Sequence, residues 1–226
     1  MKIIEGNIFN TKCQTVVNTV NCVGVMGKGI AFEFRLRYPE MCDKYVELCN
    51  QKLLTPGLLW LYKSADRWIL NFPTKIHWKY PSKEEYLEKG LQKFVDTYHE
   101  KQISSIAFPM LGANNGGLKE DVSLFIMEKY LSKCKDIDIE IYKYKPDEYD
   151  DLFVSFKDKW LKTDTKTLSE ISGMRTQYVN KLKGVLEQER IFAMNQLLRF
   201  QGIGEDTLQK AFKAAKSLKN IQLCFV

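Results

Sequence analysis

The chain has no CxxC pair and only two histidines among its 226 residues, so the ligand pattern of a zinc site is missing. Its six cysteines, at 13, 22, 42, 49, 134 and 224, lack the spacing of a small secreted disulfide framework. No apolar run reaches membrane-spanning length, so no membrane partner is expected. No charged-then-apolar leader precedes the first strand pattern, and a reducing, cytoplasmic setting is expected. Neither sign of charge dominates: the net charge is +6 and the pI near 8.8. What is present is enough to fold, with 45% hydrophobic and 12% aromatic residues.

The charge is unevenly spread. Residues 151–226 hold 13 Lys and Arg against 8 Asp and Glu, whereas the first 150 hold 21 against 20. A basic C-terminal third fits either a polyanion-facing module or a solvated helical face.

Strand and helix patterns alternate along the first two thirds. Met1–Phe9 reads as a strand ending in a turn at Gly6-Asn7, and Gln14–Val20 as a second strand. Gly29–Arg37 is a short helix stopped by Pro39, followed by a helical stretch over Glu40–Gln51. Leu58–Lys63 and Trp68–Phe72 read as paired strands, and Ser82-Lys83-Glu84-Glu85 as a capping box opening a helix to about Lys101. Ser105–Met110 is a buried strand, Lys119–Lys133 a helix and Asp138–Tyr144 a last strand. This alternation predicts an α/β fold with a largely parallel sheet between helices. A domain boundary is expected at 147–151, giving units of 1–147 and 151–226, the second a small all-helical domain.

The densest signal is VNTVNCVGVMGKGIAFEF, residues 17–34: a strand end, Asn18 and Asn21, a glycine-spaced loop, then a helix. Backbone N–H groups of such a loop at a helix N-terminus favour an anion, so residues 18–31 read either as a phosphate-ligand site or as a tight turn. A second glycine loop, LGANNGG at 111–117, also follows a strand. Ligands in such sheets lie beyond the carboxyl ends of strands, so both loops can face one pocket.

Four segments in order, EGNIF (5–9), VNTVNCVGVMGKGIAFEF (17–34), NFPTKIHW (71–78) and PMLGANNGGL (109–118), resemble the macrodomain family, closest to its branch of DarG antitoxins and the human terminal ADP-ribose glycohydrolase. The resemblance implies a three-layer α/β/α macrodomain with a mixed, largely parallel sheet. It implies that Gly27, Lys28, Gly29 and Ile30 contact the diphosphate and distal ribose of ADP-ribose. Leu111, Gly112, Ala113, Asn114, Asn115, Gly116 and Gly117 then wrap the diphosphate from the other side. Asn21 matches the family asparagine near the distal ribose. Asn7, with Ile8 beside it, stands where many members carry an aspartate that reads adenine. Asn18 and Thr74 complete the implied ADP-ribose-binding set. Either Asn7 or Asn21 can instead cap a turn.

Lys75 is the implied catalytic residue. A lysine at the edge of an apolar pocket has a lowered pKa, which frees its amine as a nucleophile. The resemblance leaves two roles open: a covalent lysyl intermediate, or electrostatic help from Lys⁺ to the leaving group. In the human enzyme a loop-2 aspartate assists the lysine; the corresponding position here falls at about Gly116, and the identity of a general acid stays open. His77 can serve only if the strand continues past Pro73, because residues 75 and 77 then share a face; otherwise it packs or lies at the surface. Trp78 and Tyr80 either form an aromatic wall for a base or belong to the core.

In the C-terminal part, LLRFQGIGEDTLQKA (197–211) resembles a helix-hairpin-helix element, and LSEISGMRTQYVNKL (168–182) is a weaker copy 29 residues earlier. Gly202, Gly204 and Lys210 are the implied DNA-phosphate contacts; the alternative is a helical bundle that uses glycine turns.

The function expected from the resemblance is an ADP-ribosyl glycohydrolase that removes mono-ADP-ribose from DNA bases. Its partners would be ADP-ribose, ADP-ribosylated DNA in single-stranded form, and a DNA-ADP-ribosylating toxin. No metal or cofactor is expected, since the pocket chemistry is organic and polar. Two rivals remain: hydrolysis of ADP-ribose esters on proteins or of O-acetyl-ADP-ribose, and a non-catalytic ADP-ribose reader.

Overall fold

The computed structural model describes residues 1–188 and 190–220, so Cys224 and the rest of 221–226 lie outside the described residues. The chain divides into two compact units, Met1–Tyr144 and Lys145–Val226.

The first unit is built on one sheet. Its strands are β1 (Lys2–Gly6), β2 (Thr15–Val20), β3 (Trp60–Lys63), β4 (Trp68–Pro73), β5 (Ser105–Pro109) and β6 (Asp138–Tyr144), in the order β1-β6-β5-β2-β4-β3. All neighbouring pairs are parallel except β3 with β4, an antiparallel hairpin at one edge. Side chains alternate across β2 and sort the core into two layers. Val17 joins Leu70, Phe72, Leu87, Leu91, Phe94 and Phe108 on the face covered by α3 (Glu84–Thr97) and α4 (Glu120–Leu131). Val16 and Val20 join Ile69, Phe34, Met41 and Tyr45 on the face covered by α1 (Gly29–Arg37) and α2 (Pro39–Asn50). The three-layer α/β/α arrangement follows.

Three local expectations are corrected. Pro39 does not merely stop α1; it occupies the first turn of α2, where its missing N–H costs nothing. Ser82 does not cap α3. The cap is Lys83, without a side-chain bond, because Ser82 is drawn inward: its N–H donates to Gly116 O at 2.8 Å and its side chain packs against the second glycine loop. That helix also ends at Thr97, and the chain turns at Gln102 with positive φ.

Gly90 on α3 lies over Phe72: a Cβ there would sit 2.2 Å from the ring. Gly90→Ala is therefore expected to destabilise the protein by about 1–3 kcal/mol through overpacking. Chemical denaturation reads it as a lower midpoint at unchanged slope.

The second unit contains α5 (Phe153–Lys162), α6 (Thr165–Ser172), α7 (Thr176–Gln188) and α8 (Glu205–Asn220), with a 3-10 turn at Met194–Arg199. Trp160, Phe153, Phe156, Leu168, Val179, Leu182 and Phe212 form its buried interior. Gly173 ends α6 in the left-handed conformation, and Gly202 precedes α8 in the same region. Met174 and Ile203, the apolar residues after these glycines, are both buried. Each glycine turn thus pins a helical hairpin to the unit's core. Lys181 Nζ comes within 3.6 Å of where a Cβ on Gly202 would stand, so α7 carries a cation beside the second turn. Lys210 is paired with Asp206 at 2.8 Å on α8.

Candidate active site

Three loops leave the C-terminal ends of the central strands and are stitched together by hydrogen bonds. Residues 21–28 follow β2, 74–83 follow β4, and 110–119 follow β5. Thr74 N–H donates to Val20 O at 2.9 Å and Cys22 N–H to Ile76 O at 3.1 Å, joining the first two. Ser82 N–H donates to Gly116 O, joining the second and third. Asn115 closes the ring: its carbonyl accepts from Lys75 Nζ, and its amide nitrogen lies 2.5 Å from the place a Cβ on Gly29 would take. Gly29 and Lys75, 46 positions apart, are thus brought to one residue of the far loop.

Each sequence-predicted residue has a definite place. Gly27, Lys28 and Gly29 are exposed at the start of α1, and Ile30 is half-buried. Lys28 gives α1 no side-chain cap, so the N–H groups of residues 29–31 are left to solvent or a ligand. In the opposite loop, Leu111, Gly112 and Ala113 are buried, and Asn114 and Asn115 are exposed. The N–H groups of Gly116, Gly117 and Leu118 are spent inside that loop, on Ala113, Asn114 and Gly112 carbonyls. An anion between the loops would therefore meet the donors at 112–115 and 29–31.

Asn21 organises its own loop. Its carbonyl oxygen accepts from Val23 N–H at 3.0 Å and from the Tyr45 hydroxyl at 3.2 Å, and its amide donates to Val25 O. Asn7 caps the short turn Ile8–Asn10 by accepting from Phe9 N–H at 3.1 Å. That turn is held from below by Arg37, whose guanidinium lies 3.9 Å from the Phe9 ring and pairs with Glu33 at 2.8 Å, both charges buried. Asn18 is wholly buried, and its amide donates to Asn71 Oδ1 at 2.9 Å beneath Met26. Its contact with Met26 ties β2 to the first loop. Thr74 is also buried.

Lys75 is half-buried, and burial pushes its amine pKa below the ordinary lysine value. Among the described residues no acid opposes that shift. The three loop stretches 21–30, 74–83 and 110–119 carry Lys28, Lys75, Lys79, Lys83 and Lys119 and not one Asp or Glu. A side chain at Gly116 would crowd Ser82, since a Cβ there would sit 2.7 Å from Ser82 Oγ.

His77 does not share a strand face with Lys75, because β4 ends at Pro73. It lies in a turn in which its Nδ1 accepts from Lys79 N–H at 3.2 Å. Trp78 and Tyr80 are not core; both are exposed. Sequence reasoning named Asn115 as a ligand contact and missed Ser82, Tyr45 and Asn71 as site supports. Only Asn71 carried a signal, a lone amide inside the apolar strand WILNFP.

The fold and site define a three-layer α/β/α protein whose paired glycine loops meet over the strand ends around one buried-edge lysine, the place where such sheets take ligands. Comparison with known proteins agrees. The Macro domain family model matches residues 17–127. The structure of the macrodomain of Mycobacterium tuberculosis DarG is similar, with TM-score 0.60 and 39% identity, covering 62% of this chain and 95% of that one. Thermosipho africanus DarTG in complex with ADP-ribose gives TM-score 0.59 and 34% identity, covering 64% of this chain and 42% of that one. The DNA ADP-ribosyl glycohydrolase of Thermus aquaticus is 36% identical over 147 residues, which is 63% of this chain and 41% of that protein. This chain belongs to the macrodomain family. It spans about two fifths of the length of the curated relatives it matches.

Proposed function

We propose that this protein is an ADP-ribosyl glycohydrolase that removes single ADP-ribose units from DNA bases. The observation that carries the proposal is the Lys75 amine, held by the Asn115 carbonyl between two glycine loops, with its pKa lowered by burial. The relatives named above as DNA ADP-ribosyl glycohydrolase and DarG, and the related structure containing ADP-ribose, support the choice of ligand and linkage.

In this mechanism the diphosphate lies between the N–H groups at 29–31 and 112–115, where the loops have pre-set the donors. The neutral Lys75 amine attacks the anomeric carbon of the distal ribose. The bond to the base breaks, the base leaves and takes up a proton, and water then releases ADP-ribose and restores the amine. The loops supply no carboxylate, so the departing base takes its proton from solvent or from Lys75 itself. The reaction presupposes a second enzyme that installs ADP-ribose on DNA. The five described cysteines are free thiols, consistent with the reducing, cytoplasmic setting we assign. The C-terminal unit is proposed to hold the DNA backbone, with the turns at Gly202 and Gly204 and the nearby Lys181 as phosphate contacts.

The test measures release of ADP-ribose from an ADP-ribosylated oligonucleotide beside an ADP-ribosylated protein and O-acetyl-ADP-ribose, with calorimetry of free ADP-ribose. Preference for the oligonucleotide is expected; preference for either ester, or binding without turnover, refutes the proposal. The pH profile separates the two roles of Lys75. Because the pKa is lowered, a rate carried by the neutral amine rises with pH through that lowered value and levels off above it. A rate carried by Lys⁺ falls over the same interval. A rising limb centred below the ordinary lysine value is expected in kcat/KM.

A further inference from the structure

We propose that Trp78 and Tyr80, braced by His77, are a stacking platform for nucleobases adjoining the ADP-ribosylated one; this rests on the hydrolase reading above.

Trp78 is 49% and Tyr80 64% exposed, although aromatic rings of that size are ordinarily used to fill cores. They are not on a slack loop. Tyr80 N–H donates to His77 O at 3.1 Å, and His77 Nδ1 accepts from Lys79 N–H. The His77 ring stacks on Trp78 at 5.5 Å and 26° between planes, and lies 5.5 Å from Tyr80. One histidine therefore sets the orientation of both outer rings. Lys79 Nζ stands 5.2 Å from the centre of the Trp78 ring. Trp78 follows Lys75 by three residues, so their Cα atoms are at most about 11 Å apart.

Charge identifies the occupant. The three site loops carry five lysines and no acid; acids resume at Glu33, buried against Arg37 in α1, at Glu84 and Glu85, and at Glu120 and Asp121, where α3 and α4 begin. A single-stranded polynucleotide matches both features, since it offers phosphates to cations such as Lys79 and flat rings to Trp78 and Tyr80. A polypeptide acceptor has no π-face repeated along its chain.

The experiment compares kcat/KM on a short ADP-ribosylated single-stranded oligodeoxynucleotide and on the corresponding ADP-ribosylated mononucleoside. Wild type is expected to prefer the oligonucleotide. In the Trp78→Ala, Tyr80→Ala double variant that preference falls by about tenfold or more through KM, and Trp78→Phe keeps most of it. Equal losses on both substrates, no loss on the oligonucleotide, or an equal loss on an ADP-ribosylated peptide overturns the platform. Should wild type cleave neither nucleic-acid substrate, the hydrolase reading fails separately. The platform is then decided by a short unmodified oligonucleotide containing 2-aminopurine. Its fluorescence is quenched by stacking on wild type and not on the double variant; equal quenching by both overturns the proposal.

Discussion

Replacing Lys75 by alanine is expected to lower turnover of ADP-ribosylated DNA by about 10²- to 10⁴-fold, the contribution of a positioned reacting group. Affinity for free ADP-ribose stays within a few-fold, because the diphosphate is assigned to backbone N–H groups that the substitution leaves in place. Among the described residues, the hydrogen bond that Lys75 loses is the one to the Asn115 carbonyl, on an exposed loop that water can satisfy. Lys75→Arg sharpens the result. Arginine keeps the positive charge but cannot deprotonate near neutral pH. If the amine attacks the sugar, Lys75→Arg is as inactive as Lys75→Ala; if Lys⁺ only assists the leaving group, Lys75→Arg retains a measurable share. Single-turnover kinetics with calorimetry on the same preparations separate chemistry from binding. Full activity of Lys75→Ala would remove the mechanism.

The second large effect is expected at Gly29. Its φ is +59°, a conformation that costs an ordinary residue about 1–3 kcal/mol. The added Cβ would also lie 2.5 Å from the Asn115 amide nitrogen, so that exposed side chain would have to turn away from the first loop. The strain falls on the first residue of α1, whose N–H is one of the donors assigned to the diphosphate. Gly29→Ala is therefore expected to weaken ADP-ribose binding by about tenfold to a hundredfold. Gly184→Ala is the matched control. Nothing lies within 4 Å of a Cβ at that position in α7, and alanine there favours the helix by about 1 kcal/mol. Unchanged binding in Gly29→Ala would mean that the first glycine loop is a turn and not a ligand cradle.

Much of this was legible before any coordinates. The bounds of Gly29–Arg37 and Asp138–Tyr144 follow from pattern alone, because apolar spacing and terminal breakers act within a few residues. The paired glycine loops and Lys75 were legible for the same reason, as each is written in one continuous segment. Ser82 shows where local rules fail. Its S-x-x-E pattern is a sound helix start, yet a hydrogen bond to Gly116, 34 positions away, took the serine into the site instead. Trp78 and Tyr80 could not be sorted between core and surface, since composition alone does not say which way a turn faces.

The order of apolar, glycine and capping residues by itself determined the alternation of strands and helices, the two glycine loops and the lysine that follows β4, because those are set by contacts between near neighbours. Only the tertiary structure decided that Asn115 links Gly29 to Lys75, that Asn18 and Asn21 support a loop, and that the aromatic turn lies open. Those outcomes depend on which distant strands lie side by side, and parallel pairing brings together residues that no sequence window contains.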